Sequence, residues 1–316
     1  MEAPSAGAVK ARPPRPLDAP PRAAERRGAM HGFRPLERAD LPRAAALSAL
    51  IGWNQTAADW ALFLRHGAAR ALDDGDPAAL AATAAIISYG AEVAWIAMVL
   101  VRPDRRRQGL ATALMRWAVE SLRGVPCVGL DATPAGREVY RRLGFRDAWG
   151  FRRWALPEAL PAEPGVPLRP LREADWPALC ALDAAAFGAP REALLRDFAA
   201  RMPRAAWVAV DAADAPRGFV LARDGLRSPQ LGPLIAPDEA TARALMAAAL
   251  AALPPPAAPG AARAVADLRD AAAGVAAWCA AHGAVAQRPF TRMVLDAAAP
   301  PGDPAPLVAV AGPEFG

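Results

Sequence analysis

Three consecutive arginines are followed by a glycine at the start of a predicted helix, an arrangement that can bind an anion. Residues 105–107 are arginine, Gln108 and Gly109 follow, and from Leu110 onward apolar residues recur at helical spacing. The first N–H groups of a helix lack intrahelical acceptors, and the helix dipole places partial positive charge beside them. Because a small residue keeps the backbone accessible there, we expect a ligand that carries phosphate or pyrophosphate.

A buried strand leads into this turn. Residues 95–101 form a continuous apolar run with β-branched members, and Pro103 ends it. A P-loop needs Gly-Lys-Ser/Thr, whereas the only lysine is Lys10, and the dinucleotide fingerprint needs GxGxxG, whereas only Gly109 lies here. The glycine pattern therefore fits neither common phosphate loop. The alternative interpretation of the turn is a basic helix N-terminus whose arginines are solvated.

Length and composition limit the class of protein. The 316 residues are long enough for two domains, and the 54% hydrophobic share predicts packed globular cores. The net charge is +5, but the sequence shows no nucleic-acid module and no basic face with stacking aromatics, so we expect no nucleic-acid partner. The three cysteines and three histidines are widely spaced and predict neither disulfides nor a metal site. Without a membrane-length apolar run or a signal peptide, we expect a cytoplasmic protein with no membrane contacts.

The second part of the chain repeats the first. The segment FRPLERADLP at residues 33–42 recurs as LRPLREADWP at residues 168–177, and later matches keep the same order. These matches are Pro103-Asp104 with Pro237-Asp238, Leu114-Met115 with Leu245-Met246, and Gly144, Phe151 and Arg153 with Gly283, Phe290 and Arg292. We therefore predict two copies of one fold. In the second copy the equivalent helix begins with Glu239 and without glycine, so we predict that this copy does not bind the phosphate ligand.

Periodicity and turn residues place the elements of the first copy. Helices are predicted at residues 41–50, 57–66, 110–123 and 134–143. Strands are predicted at residues 31–36, 68–72, 80–89, 92–102, 126–130 and 145–156, the last of which closes the first copy. The whole chain divides into a disordered Pro/Arg-rich tail (1–29), a first domain (30–157), a linker (158–165), a second domain (166–297) and a C-terminal tail (298–316).

The segment Arg106-x-x-Gly109-x-Ala111, directly after an apolar strand, resembles the Q/R-x-x-G-x-G/A signature of the GNAT superfamily of acyl-CoA-dependent N-acyltransferases. The resemblance implies an α/β fold (an α+β mixed sheet) with two tandem GNAT-fold domains, each a splayed mixed β-sheet flanked by helices. It also implies acetyl-CoA as co-substrate, with its pyrophosphate in the turn and its pantetheine arm along the splayed strand. The cofactor-binding residues implied in this way are Met98, Val99, Leu100, Val101, Arg106, Arg107, Gln108, Gly109, Leu110, Ala111 and Thr112.

Tyr140 is the residue that the resemblance points to for catalysis. The segment Tyr140-Arg-Arg-Leu-Gly144-Phe145 resembles the Y-x-x-x-G-F segment of many GNAT enzymes, in which the tyrosine donates a proton to the leaving thiolate. A proton donor there stabilises a thiolate that is expelled into a desolvated cleft. The alternative is a helix tyrosine that packs against the sheet with its hydroxyl in water.

Candidate contacts for an amine acceptor lie elsewhere in the first copy. Gly52-Trp53-Asn54, at the break between the opening helices, resembles a bacterial family of tandem GNAT proteins whose second domain carries Arg-Pro-Phe-x-Arg-Met, found here at residues 288–293. Trp53 and Asn54 are therefore candidates for substrate binding, although Trp53 can also be a core anchor and Asn54 a helix cap. Asp131 is a candidate general base or substrate contact, or it caps the next helix. Glu92 is a second candidate base, or a solvated charge.

The sequence thus predicts a GNAT-type N-acetyltransferase with a catalytic first domain and a silent second domain. Direct attack by the amine in a ternary complex needs no metal, and a small-molecule primary amine is the expected acceptor. Two alternatives remain open at this stage. One is a non-catalytic sensor that binds acyl-CoA, and the other is a nucleic-acid-associated protein that uses the N-terminal arginines.

Overall fold

The computed structural model describes residues 32–256 and 261–316. The tail predicted at residues 1–29 therefore lies outside the described residues. The first half of the chain has its elements in the predicted order. Its strands are β1 (Arg34–Pro35), β2 (Gly67–Asp73), β3 (Leu80–Tyr89), β4 (Val93–Val101), β5 (Cys127–Ala132) and β6 (Arg146–Leu156). Its helices are α1 (Leu41–Ile51), α2 (Ala57–His66), α3 (Leu110–Ser121) and α4 (Pro134–Arg141).

The second half repeats this order and adds one strand. Its strands are β7 (Leu168–Pro170), β8 (Trp207–Val210), β9 (Pro216–Arg223), β10 (Gln230–Ile235), β11 (Ala264–Arg269), β12 (Val285–Leu295) and the additional β13 (Leu307–Ala309). Its helices are α5 (Trp176–Phe187), α6 (Glu192–Arg201), α7 (Glu239–Ala252) and α8 (Ala273–Ala281). The fold predicted from the sequence, a mixed sheet flanked by helices in two copies, is confirmed.

Local sequence signals set the helix ends that matter for the site. Gly52 adopts a left-handed conformation (φ 83°) and ends α1, which only glycine does without strain. Thr56 begins α2 with a capping box, because its hydroxyl accepts from the Asp59 N–H while the Asp59 carboxylate accepts from the Thr56 N–H. The break between the two helices therefore has a fixed path.

Within the described ranges, thirteen strands form one continuous sheet in the order β1-β2-β3-β4-β5-β12-β6-β11-β13-β10-β9-β8-β7. The two halves exchange their closing strands. β12 from the second half pairs antiparallel with β5, and β6 from the first half pairs antiparallel with β11. The prediction that residues 145–156 close the first half is therefore wrong. These strands carry equivalent sequences, so a local pattern fits either position in the sheet.

Helices cover both faces of the sheet. α1, α2, α5 and α6 share the largest core cluster with aromatic residues from both halves, including Trp60, Phe187 and Phe290. On the opposite face α3 packs with residues of β3, β4 and β5 in the first half, and α7 and α8 pack on the second half. In the part of the chain that the structure describes, no helix is long and apolar enough to cross a membrane.

Candidate active site

The sheet forks between β4 and β5. These parallel strands pair at Val93–Cys127, Ala94–Val128 and Trp95–Gly129, and pairing ends there although both strands continue. The predicted splaying of these two strands is therefore confirmed. Ligands of α/β sheets commonly bind where strands part at their carboxyl ends.

A bulge reshapes β4 within the open part of the fork. Met98 has a left-handed backbone (φ 53°), and the register between β3 and β4 shifts between Thr83 and Ala85. The Thr83 hydroxyl donates to the Met98 carbonyl at 3.0 Å, which holds the bulge. A bulge redirects backbone groups. Of the four residues predicted to bind the pantetheine arm, Met98 and Leu100 are buried, whereas Val99 and Val101 are partly exposed.

The turn after β4 presents free backbone amides. Gly109 is the N-cap of α3 with φ 79°, and Arg107 also has positive φ (62°). The Ala113 N–H donates to the Gly109 carbonyl at 3.0 Å and is the first to join the helical ladder. The N–H groups of residues 109–112 precede that first bond and, like those of any helix start, lie outside the ladder. A left-handed N-cap followed by free amides is the geometry of an anion cradle.

The arginines of the turn divide into paired and unpaired groups. Arg102 and Arg105 both form ion pairs with Asp74, which lies in the turn after β2. Arg106 makes only a long bond (3.4 Å) from Nε to the Val101 carbonyl, and neither it nor Arg107 has an ion-pair partner among the described residues. Two exposed guanidinium groups beside the amides therefore remain free to bind an anion.

Tyr140 lies on the last turn of α4, on the same face of the sheet as α3. Its ring packs in the cluster that contains Met115 and Phe145. Its hydroxyl has no hydrogen-bond partner in the described ranges, and a Cβ at Gly136 would lie 3.3 Å from that oxygen, so glycine leaves space there. Burial raises the Tyr140 pKa to about 12, so the group keeps its proton at neutral pH.

Asp131 is held inside the fold. Both of its carboxylate oxygens accept from Arg292, at 3.0 and 2.8 Å, and burial raises the Asp131 pKa to about 6 despite this partner. The alternative that Asp131 caps the next helix is wrong, because the Thr133 hydroxyl accepts from the Gly136 N–H and caps α4. Its predicted contact with substrate stays a prediction.

The structure places the remaining candidate residues, Asn54, Trp53 and Glu92, in three different environments. Asn54 accepts from the Arg227 and Ser228 N–H groups and donates to the Ser228 carbonyl at 2.8 Å, so its amide joins the two halves. Trp53 packs against the core shared by the two halves. Glu92 precedes β4 at the end where β4 and β5 are paired, away from the open fork. The prediction of Glu92 as a base beside the fork is therefore wrong.

The equivalent fork in the second half is closed. β10 and β11 pair in parallel at Gln230–Val265 and Leu231–Ala266, and beyond this point β13 lies between them. β13 pairs with both strands, as in Leu234–Ala309 and Leu268–Ala309. The Asp238 carboxylate accepts from the Thr241 N–H at 2.7 Å and so caps α7 with a negative charge. The sequence signal for this difference was the missing glycine, but nothing local predicted β13.

Family models match both halves. The model described as "Acetyltransferase (GNAT) family" matches residues 36–145, and the model described as "Acetyltransferase (GNAT) domain" matches residues 179–308. A search of curated proteins gives no match. Across the described ranges, no group of three His, Cys, Asp or Glu side chains could hold a metal ion.

Solved structures of similar fold include three that the chain covers almost completely. A candidate acetyltransferase of Pyrococcus horikoshii has a TM-score of 0.68 at 18% identity, over 90% of this chain and 95% of its own. A GCN5-related N-acetyltransferase of Sphaerobacter thermophilus has a TM-score of 0.54 at 16% identity, over 83% and 94%. A tandem GNAT protein from the clavulanic acid biosynthesis pathway has a TM-score of 0.57 at 17% identity, over 83% and 97%. At these identities the likeness is one of fold, and with the two family matches it shows that the chain belongs to the GNAT acetyltransferase family, with two GNAT domains in tandem.

Proposed function

We propose that this protein transfers an acetyl group from acetyl-CoA to a small primary amine, and that the reaction takes place at the fork of the first half. The proposal depends on the contrast between the two forks. The first is open and adjoins a helix start with free amides and unpaired arginines, whereas β13 fills the second.

The chain's own groups would hold the cofactor at three places. The amides at residues 109–112 and the guanidinium groups of Arg106 and Arg107 would bind the pyrophosphate. The backbone of residues 98–101, unpaired on the side of β5, would bind the pantetheine arm. When bound, acetyl-CoA supplies an activated thioester to the fork.

Transfer then requires two proton movements. The neutral amine attacks the thioester carbonyl carbon, the C–S bond breaks, and the new C–N bond forms. Tyr140 gives its proton to the departing thiolate, while the amine loses a proton to water, which restores the tyrosine. Backbone N–H groups near Val99 would stabilise the oxyanion. Burial raises the Tyr140 pKa to about 12, so the hydroxyl carries the proton that this role requires across the usual working range.

Thiol release from acetyl-CoA with a panel of primary amines tests the proposal. Tyr140→Phe should lower kcat by about 10²-fold or more, the usual contribution of a general acid, without changing the Kd of acetyl-CoA. Tyr89→Phe is the matched control, because Tyr89 is the other tyrosine of the chain and its hydroxyl donates to the Phe315 carbonyl. Binding of acetyl-CoA without turnover, unaffected by Tyr140→Phe, would instead indicate a sensor.

A further inference from the structure

A basic pocket of about 420 Å³ lies between the two halves of the chain. We define it by six of its lining residues: Gly52, Asn54, Arg153, Arg227, Ser228 and Arg288. Gly52 and Asn54 come from the break between α1 and α2, Arg227 and Ser228 from the loop before β10, and the other two arginines from β6 and β12. A volume of this size accommodates a small molecule.

The charges in the basic pocket are not balanced. Arg153 forms a buried bidentate pair with Asp267 at 2.9 and 2.7 Å. By contrast, neither Arg288 nor Arg227 has a side-chain hydrogen bond or ion pair with any residue that the structure describes. Glu314, the other nearby carboxylate, already pairs with Arg223. Two cations therefore face the basic pocket without a counter-ion from residues 32–256 or 261–316.

Arg288 is the better placed of the two. It is half-buried, and its guanidinium lies 5.8 Å from the centroid of the Trp53 ring and 5.4 Å from that of Phe290. Burial and the neighbouring charge of Arg153 lower the Arg288 pKa, so an anion would relieve an unfavourable environment. A guanidinium that lies over aromatic rings keeps its N–H groups available to a planar or tetrahedral oxyanion.

The second cation is fixed through the backbone. Asn54 accepts from the N–H groups of Arg227 and Ser228, which sets the loop against the first half. The Arg227 guanidinium reaches towards Gly52, where a Cβ would lie 3.5 Å from its Nη2. Asn54, predicted as a substrate contact, is therefore a positioning residue for this loop.

The basic pocket lies at the end of the sheet where the fork opens. Thr291 of β12 pairs with Ala132, the last residue of β5, so residues 288–290 extend beyond the carboxyl end of β5. Arg288 packs on Phe290, which belongs to the core on the face opposite α3. In the sheet β12 is the direct neighbour of β5, so this segment lies one strand spacing, about 5 Å, from the β5 side of the fork.

We propose that the basic pocket binds a carboxylate or phosphate group and, on the function proposed above, that this group belongs to the amine acceptor. The acceptor is then an amine with an anionic group several bonds away, rather than a simple alkylamine. Arg288 and Arg227 hold the anion, and Asn54 and Trp53 position them.

A length series of acceptors tests the proposal by turnover. ω-Amino acids from 3-aminopropanoate to 6-aminohexanoate, and 3-aminopropyl phosphate, are each compared with the alkylamine of equal length. For at least one anionic acceptor we expect a kcat/KM at least tenfold higher than that of the alkylamine of equal length. The chain length that gives the largest ratio measures the distance from the basic pocket to the fork. Arg288→Ala and Arg227→Ala should each reduce the ratio of kcat/KM between the anionic acceptor and the matched alkylamine at least fivefold. Arg288→Lys should reduce it less. Arg152→Ala, on the same strand as Arg153 but exposed, should leave it unchanged.

A binding measurement separates the basic pocket from the proposed reaction. Titration calorimetry with glutarate and with inorganic phosphate should show binding to the wild type that Arg288→Ala removes and Arg152→Ala retains. Arg288-dependent binding of either probe by a protein that transfers no acetyl group would refute the proposed function but support the anion site. Ratios near one for every pair, or no Arg288-dependent binding of either probe, would overturn the anion site even if simple amines are acetylated.

Discussion

The rings of Phe151 and Phe290 stack with their centroids 5.0 Å apart and their planes 11° apart, and the two residues pair directly in the ladder between β6 and β12. They occupy equivalent positions in the two copies of the repeat. The exchange of the closing strands β6 and β12 between the halves is therefore centred on this pair. On one side Arg153 pairs with Asp267 of the second half, and on the other Arg292 pairs with Asp131 of the first. Each closing strand is therefore joined to the opposite half by a buried ion pair.

The exchange predicts that neither half folds alone. Residues 30–157 without β12 leave β5 as an unprotected edge and β6 without either neighbour, an arrangement that favours aggregation. We expect each half expressed separately to be insoluble or to unfold without cooperativity, and co-expression to give a soluble complex, as measured by size-exclusion chromatography and thermal melts. A full chain cut by a protease site placed between Glu163 and Gly165 is the control, because it keeps every strand. A soluble, cooperatively folding fragment 30–157 would contradict the prediction.

Charge reversal at Arg106 tests the anion cradle. Arg106→Glu should raise the Kd of coenzyme A at least tenfold, or about 1.4 kcal/mol, because it replaces an unpaired cation beside the free amides of α3. The measurement is calorimetric titration with coenzyme A. Arg116→Glu makes the same charge change at an exposed position later in α3 and should change the Kd less than threefold. Equal effects of the two variants would mean that only the general field of the protein attracts the ligand.

Sequence reasoning was most accurate for elements defined by local signals. The predicted bounds of α2 and β3 are those of the structure, since Thr56 caps the one and a turn at each end limits the other. The helix start at Gly109 was equally readable, because a positive φ and free amides depend on the residues of the turn itself. The internal repeat was visible in the same way, as residue types in a fixed order.

What the sequence did not predict depends on contacts between distant segments. β6 and β12 carry matching residues, so nothing in either strand tells which half it joins. β13 is a short apolar segment whose position in the second fork is set by the vacant space between β10 and β11. The motif around Arg288 likewise did not predict a cavity, because Trp53, which contacts Arg288, and Arg227, which lines the pocket, come from other parts of the chain.

Gly129 and Trp95 form the last pair between β4 and β5 before the fork opens. A Cβ at residue 129 would lie 2.1 Å from the indole Cζ3, and the indole is fixed by its bond to the Pro313 carbonyl at 3.0 Å. Gly129→Ala should therefore cost about 1–3 kcal/mol of unfolding free energy, as overpacking usually does. Chemical denaturation measures the cost.

A smaller ring gives the matched test of this clash. In the Trp95→Phe background the added methyl group has more space, so Gly129→Ala should cost less than half as much. The four proteins form a double-mutant cycle. An equal cost of Gly129→Ala in both backgrounds would show that the indole is not what excludes a side chain at this position.

Removing Arg292 should destabilise the protein in a pH-dependent way. Arg292→Met leaves the buried Asp131 carboxylate without its partner, which typically costs about 3–5 kcal/mol when the acid is ionised. Burial already raises the Asp131 pKa to about 6 and Arg292 lowers it, so the variant's folded-state pKa lies higher still. The unfolded carboxylate ionises near its ordinary pKa of about 4. The folded state of Arg292→Met then binds the proton of Asp131 more tightly than the unfolded state does. The unfolding free energy of the variant is therefore highest below pH 4 and falls as the pH rises through the folded-state pKa.

Denaturant unfolding at pH 5, 6, 7 and 8 measures this effect. The difference in unfolding free energy between wild type and Arg292→Met should be smallest at pH 5 and grow towards pH 8. The double variant Asp131→Leu, Arg292→Met removes the titrating group, so it should recover most of the stability and lose the added pH dependence. A difference that stays constant from pH 5 to pH 8 would mean that Asp131 is not forced to ionise inside the fold, and that the loss comes instead from the contacts of Arg292 with Trp95 and Trp149.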